Sequence, residues 1–82
     1  MTEVKVIGAS WCCQCKAFTP KVKEFCEQHS IPFTYLDAEE NDDLVQSLGI
    51  RNIPVVLVYE DDRLKEKVFM SAWEDLKQTL VR

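Results

Sequence analysis

Six consecutive residues, PVVLVY from Pro54 to Tyr59, restrict what this chain can become. The run is apolar and β-branched with no polar alternation, the pattern of a strand covered on both of its faces. An open two-strand ribbon or a one-faced meander would leave half of it in water. The rest of the chain must therefore supply cover on two sides of a sheet, and the alternation of strands and helices that follows gives the fold class as α/β.

The other elements follow from periodicity and punctuation. Glu3 to Ile7 reads as a short strand ending at Gly8. From Cys12 to about His29, Phe18, Val22, Phe25 and Cys26 recur at helical spacing, with Pro20 inside the helix as an expected kink. IPFTYLD is a second strand. NDDLVQSLG is a short helix, with Asn41 as its expected cap, Asp42 and Asp43 at the positive end of the dipole, and Gly49 as its stop. EDDR turns the chain after Tyr59. Arg63 to Met70 is a charged strand whose Lys65 and Lys67 suit an exposed sheet edge. SAWEDLKQTL ends the chain as a helix, with Ser71 and Glu74 in capping-box spacing and Trp73, Leu76 and Leu80 on one face. The order is β-α-β-α-β-β-α. Two βα units predict that the first strands run parallel by right-handed crossover, and the tight turn makes the last pair antiparallel. A four-stranded mixed sheet with helices on both faces results.

At 82 residues the chain has room for one domain, expected to span residues 1–82. Its ten basic residues never form a run longer than Lys-x-Lys and the net charge is −4, which argues against nucleic acid or an anionic membrane as partner. No stretch approaches the ~20 apolar residues that span a bilayer, and MTEVKVIGAS lacks the basic and apolar regions of a signal peptide. The expectation is a cytoplasmic protein, where thiols are kept reduced.

That expectation matters because SWCCQCK, Ser10 to Lys16, holds three of the four cysteines. Cys12 and Cys15 stand in C-x-x-C spacing at the first turn of a helix that follows a strand. At i and i+3 their side chains share a helix face at a separation that a disulfide can bridge. Cys12 meets unpaired backbone amides and the positive dipole end, which favours its thiolate. Cys15, one turn inside, is expected to be more buried and less ionised. An exposed nucleophile followed by a protected resolving thiol is what dithiol exchange requires. Cys13 lies about 100° round the helix from Cys12. It reads as a spacer that tunes partner choice, or else as a regulatory thiol open to oxidation or glutathione capping. Cys26 reads as plain core. One C-x-x-C pair and a single histidine, His29 at the far helix end, do not make a tetrahedral zinc site within one chain, although a site bridged between two chains stays open. Glu39, Glu40, Asp42 and Asp43 read as a solvated acidic helix start rather than calcium ligands. In GIRNIPVV, Ile53–Pro54 is a candidate cis bond, though an ordinary trans proline starting a strand is the simpler reading from sequence alone.

SWCCQCKAFTP resembles the thioredoxin active-site segment W-C-G-P-C-K with its following helix proline, and LGIRNIPVVLVY resembles the segment of that family that holds a cis-proline. The spacing extends the resemblance over nearly the whole chain, implying a minimal thioredoxin fold. It implies Cys12 as attacking thiolate, Cys15 as resolving thiol, Trp11 as aromatic flank, and Pro54 as cis and packed against a Cys12–Cys15 disulfide. Trp11, Cys13, Gln14, Ile53 and Pro54, with Phe69 and Met70, would form the docking surface. Departures are informative. Val6 stands where thioredoxins place a buried Asp, and no lysine occurs between Lys23 and Lys65 to partner one. The glycine usual after the last strand is replaced near Phe69. Cys12-Cys13-Gln14-Cys15 also matches the C-x-Q-C of small glutaredoxin-like donors to ribonucleotide reductase, but the glycine pair that contacts glutathione in glutaredoxins is missing after Gly49.

The resemblance implies a thiol-disulfide oxidoreductase active in electron transport and redox homeostasis. It would be monomeric, with no bound cofactor beyond its redox-active disulfide. It would reduce disulfide-containing proteins and be regenerated by a flavoprotein thioredoxin reductase or by glutathione. A glutathione-dependent glutaredoxin and a non-catalytic thiol or metal carrier are the alternatives.

Overall fold

The computed structural model describes residues 2–81. It contains β1 (Thr2–Gly8), α1 (Cys13–Gln28), β2 (Phe33–Asp37), α2 (Asp42–Ser47), β3 (Val55–Glu60), β4 (Arg63–Phe69), a 3-10 turn (Met70–Ala72) and α3 (Trp73–Leu80). The strands form one mixed sheet in the order β2-β1-β3-β4. PVVLVY thus lies in an interior strand, and Val55 to Leu57 are fully buried.

β2 runs parallel to β1, with Gly8 opposite Asp37. β3 runs antiparallel to β1, with Ile7 opposite Val55. The expectation of parallel first strands thus holds for β1 and β2 and is corrected at β3. α2 has six residues, about 9 Å of helix at 1.5 Å per residue, whereas a return along six strand residues needs about 20 Å. The chain therefore stays at the end of the sheet where β1 and β2 finish, and enters β3 from there. β3 and β4 form the expected hairpin, with Val55 opposite Phe69. Asp61 and Asp62 both take positive φ, 53° and 68°, as a two-residue turn between twisted strands requires.

The two faces are covered as β3 demands. On one, Val4, Val6, Val56 and Val58 pack with Phe18, Val22 and Cys26 of α1 and with Trp73 and Leu76 of α3. Trp73 meets Phe18 and Phe25 edge-on, at centroid distances of 5.9 and 5.3 Å. On the other face Ile7, Val55, Leu57 and Ile50 pack with half-buried residues that include Leu44 and Val45 of α2 and its cap residue Leu48.

Helix ends depart from expectation in two places. Asn41 makes no side-chain cap to α2. Its Nδ2 donates instead to the Asp37 carbonyl, while Asp37 Oδ1 accepts the Glu39 and Glu40 amides. Ser71 forms no capping box, because a 3-10 turn moves the start of α3 to Trp73, past the hydroxyl. α1, by contrast, runs through Pro20 as one helix. Gly49 does end α2: at φ +66° its amide bonds Gln46 and that of Ile50 bonds Val45, so the loop toward Pro54 departs with Ile50 turned into the core. Among the described residues no helix is long and apolar enough to cross a membrane.

Candidate active site

β1 ends at Gly8, and a tight turn, Cys12 N–H to the Ala9 carbonyl at 3.1 Å, delivers the chain to α1. Cys12 is the N-cap, extended at φ −93° and ψ 109°. Helix starts leave amides unpaired, and serine or aspartate oxygens usually take one. Here a sulfur does: Cys12 Sγ accepts the Cys15 N–H at 3.2 Å. The atom placed for attack thus lies at the positive end of a 16-residue helix.

The thiols are unequal. Cys12 is half-buried, Cys13 exposed, and Cys15 1% exposed. Burial, with a hydrogen bond to Cys12, pushes the Cys15 thiol up to about 11, so it stays protonated at neutral pH. Cys26, fully buried in the core of α1, is likewise pushed up to about 11 by burial. It sits on the helix away from the pair, and His29 caps the far end of α1 with its ring against Phe25 at 4.5 Å. Among the described residues no group of three or more His, Cys, Asp or Glu is arranged to hold a metal ion.

Two neighbours of Cys15 escaped the sequence reading. A Cβ on Gly8 would lie 3.0 Å from Cys15 Cβ and 3.1 Å from its Sγ, so the strand end is bare because the thiol occupies that space. The same point is 3.3 Å from Tyr35 Cε1. Tyr35 pairs with Val6 across the sheet, and with Ala9, Ser10, Cys15, Lys16, Thr19 and Pro20 it lines a cavity of about 290 Å³. A glycine at the end of a strand is a known sign of close approach. The tyrosine carried no signal until the register was known. Val6 is fully buried among valines, as its type requires.

The second segment converges on the same sheet end. Ile53–Pro54 is cis and Pro54 is buried. Because Ile7 pairs with Val55, the next step of that register sets Pro54 beside Gly8. Phe69, opposite Val55, stands at the same rim and is 44% exposed. Gln14 shares a second cavity, about 280 Å³, with Met70, Trp73 and Lys21. Trp11 is 67% exposed, its Nε1–H donating to Glu39 Oε1 at 2.9 Å. An apolar rim of Trp11, Tyr35, Phe69 and Met70 thus surrounds the pair. A concavity of about 560 Å³ lies at the Glu60–Lys65 hairpin at the other end of the sheet and is lined by no thiol.

A thioredoxin family model matches residues 4–82. Thioredoxin F2, chloroplastic, of Arabidopsis thaliana is 35% identical over 68 residues, covering 80% of this chain and 37% of that protein. Thioredoxin 1 of Synechococcus elongatus is 29% identical over 62 residues, covering 73% and 58%. The chain therefore spans less than two thirds of either relative. Thioredoxin f2, solved in complex with ferredoxin:thioredoxin reductase, superimposes with a TM-score of 0.84 at 29% identity, covering 98% of this chain and 74% of the other. Thioredoxin 1 of Thermosipho africanus shares the fold with a TM-score of 0.85 at 17% identity, covering 98% and 91%. With its sheet order, its Cys12–Cys15 helix start and a match over residues 4–82, this chain belongs to the thioredoxin family.

Proposed function

We propose that the chain is a dithiol–disulfide oxidoreductase acting on protein disulfides. The observation that carries this reading is the inequality of the pair, an accessible Cys12 at the helix cap and a buried, protonated Cys15 one turn later. In the first displacement Cys12 thiolate attacks a partner disulfide, and a Cys12–partner disulfide forms as the partner's other sulfur leaves and takes a proton from solvent. In the second, Cys15 gives up its proton and attacks Cys12 Sγ. The Cys12–Cys15 disulfide forms and the partner leaves as a dithiol, reduced by two electrons. That disulfide would be the only redox group required.

Trp11, Cys13, Gln14, Ile53, Pro54, Phe69 and Met70 would form the docking surface. Cys13, exposed beside Cys12, would contact the partner directly. We read regeneration as the work of a protein reductase, since a thioredoxin f2 of this fold is solved in complex with ferredoxin:thioredoxin reductase. Supply of electrons to ribonucleotide reductase is one use such a donor would serve, and a monomer in the reducing cytoplasm is the setting we propose for it.

Insulin reduction under dithiothreitol tests the activity. We expect the wild type to bring turbidity on well ahead of dithiothreitol alone, and Cys12→Ser to match the dithiothreitol background. Cys15→Ser should accumulate a Cys12-linked mixed disulfide, and its absence with every protein disulfide offered would remove the resolving role. Regeneration by glutathione alone at the rate of a protein reductase would return the glutaredoxin alternative.

A further inference from the structure

Cys15 has to lose a proton in the second displacement while its burial opposes ionisation, and the groups able to help are few. Cys12 Sγ is consumed in the mixed disulfide. On β1 the residue against Cys15 is Gly8, with no side chain at all. The cavity that reaches Cys15 is walled by Ala9, Ser10, Lys16, Thr19, Pro20 and Tyr35. Of these, the Ala9 backbone already bonds the Cys15 thiol and favours its thiolate, and Tyr35 is the side chain with a hydroxyl placed beside the same space above Gly8. The sulfur of Cys15 and Tyr35 Cε1 lie 3.1 and 3.3 Å from one point above Gly8, so no more than the total of those two lengths separates them. Cε1 adjoins the carbon bearing the hydroxyl, so the phenol end of the ring borders the same space above Gly8 that the thiol borders. The parallel register fixes this placement: Tyr35 pairs with Val6 while Gly8 pairs with Asp37, so Tyr35 rises on the face of the sheet that α1 covers.

We propose that Tyr35 is a positioning residue for the second displacement, its phenol O–H donating a hydrogen bond to Cys15 Sγ as that thiol ionises. This rests on the dithiol-exchange reading above. The proton of Cys15 leaves through the cavity to solvent, the phenol keeps its own, Cys15 Sγ bonds Cys12 Sγ, and the partner sulfur departs and is protonated from solvent. Neutral tyrosine is the right donor for this. Burial first, then the negative charges of Asp37, Cys15 and Cys12, raise its ionisation above the ordinary range. The phenol therefore remains a donor whenever Cys15 becomes an acceptor. Hydrogen bonds to a charged acceptor are the strong ones, and the 42% exposure of Tyr35 moderates the effect.

The test is single-turnover reaction with dithionitrobenzoate, whose two coloured thiolates report the two displacements separately. All arms carry Cys13→Ser, since an exposed third thiol would also react. With Tyr35→Phe, which keeps the ring, we expect the first release unchanged and the second slowed about fivefold, the thermal midpoint staying put. Tyr35 replaced by 3-fluorotyrosine, a stronger donor of nearly the same shape, should release the second thiolate at least as fast as the parent. Equal second-phase rates for parent and Tyr35→Phe would overturn the proposal. So would parallel slowing of both phases, the mark of disturbed packing. A parent that releases no thiolate from the dye would overturn the exchange chemistry itself, a result distinct from either.

Discussion

The two faces of the sheet are built to different strengths. One is covered by the 16 residues of α1 and the eight of α3, closed by Trp73 between Phe18 and Phe25. The other is covered by the six residues of α2, none of them fully buried. Each thiol of the pair rides on the strong face, since Cys12 caps α1 and Cys15 lies in its first turn. The Ile53–Pro54 loop that completes the rim belongs to the weak face, where Ile53 packs at the margin of the Ile7–Leu57 cluster. Sulfur atoms that must meet within a bond length are thus held rigidly, while the part that receives partners of varied shape rests on a thinner layer. Local stability in proteins is distributed unevenly in this way, with binding loops drawn from the low end.

The contrast breaks most directly at Trp73. Trp73→Ala should cost about 3–5 kcal/mol, a large share of the stability of a chain this size, and urea unfolding would measure it. Leu44→Ala, on the thin face and only half-buried, should cost about 1 kcal/mol by its partial burial. Native-state hydrogen exchange should show α2 amides opening well before those of Val22 to Cys26, and equal protection would refute the asymmetry. A probe between the faces is Gly8→Ala. The new methyl meets Cys15 at 3.0–3.1 Å, so we expect a loss of about 1–3 kcal/mol from overpacking together with a slower second displacement. Alkaline pH sharpens the picture from another side. Cys15 and Cys26 ionise near 9.0 in an unfolded chain and near 11 when folded, because burial disfavours their thiolates. The stability they contribute is complete below pH 9 and lost as pH rises through 11. The urea midpoint should fall over that window, and fall less steeply in Cys26→Ala. The smallest effect belongs to the rim: Trp11→Phe removes one exposed hydrogen bond to Glu39, and the urea midpoint should report a loss of no more than about 0.5–1 kcal/mol.

What the chain disclosed before its structure tracks how local the cause is. Cys12 and Cys15 were legible because one turn of helix fixes their relation. Gly49 was legible because a left-handed stop needs no distant partner. The direction of β3 was not, since a βα pattern says nothing of whether a helix is long enough to carry the chain back across the sheet. Asn41 and Ser71 misled for a related reason. Each had the right type at the right spacing, but the Asp37 turn and the 3-10 turn at Met70 took the backbone elsewhere. Gly8 and Tyr35 lie furthest from sequence. They come beside Cys15 only because β1, β2 and α1 meet, and nothing in the spacing of Gly8 or Tyr35 announces that meeting.

The cap of α1 has one more consequence. The acceptor of the Cys15 amide is Cys12 Sγ, the atom whose bonding changes in every turn of the proposed cycle. A thiolate is a stronger acceptor than a thiol, and a disulfide sulfur a poorer one. The chemical shift of that single amide proton therefore records the oxidation state of the protein from within, with no label attached, and ¹⁵N spectra taken during turnover would follow the reaction at its own nucleophile.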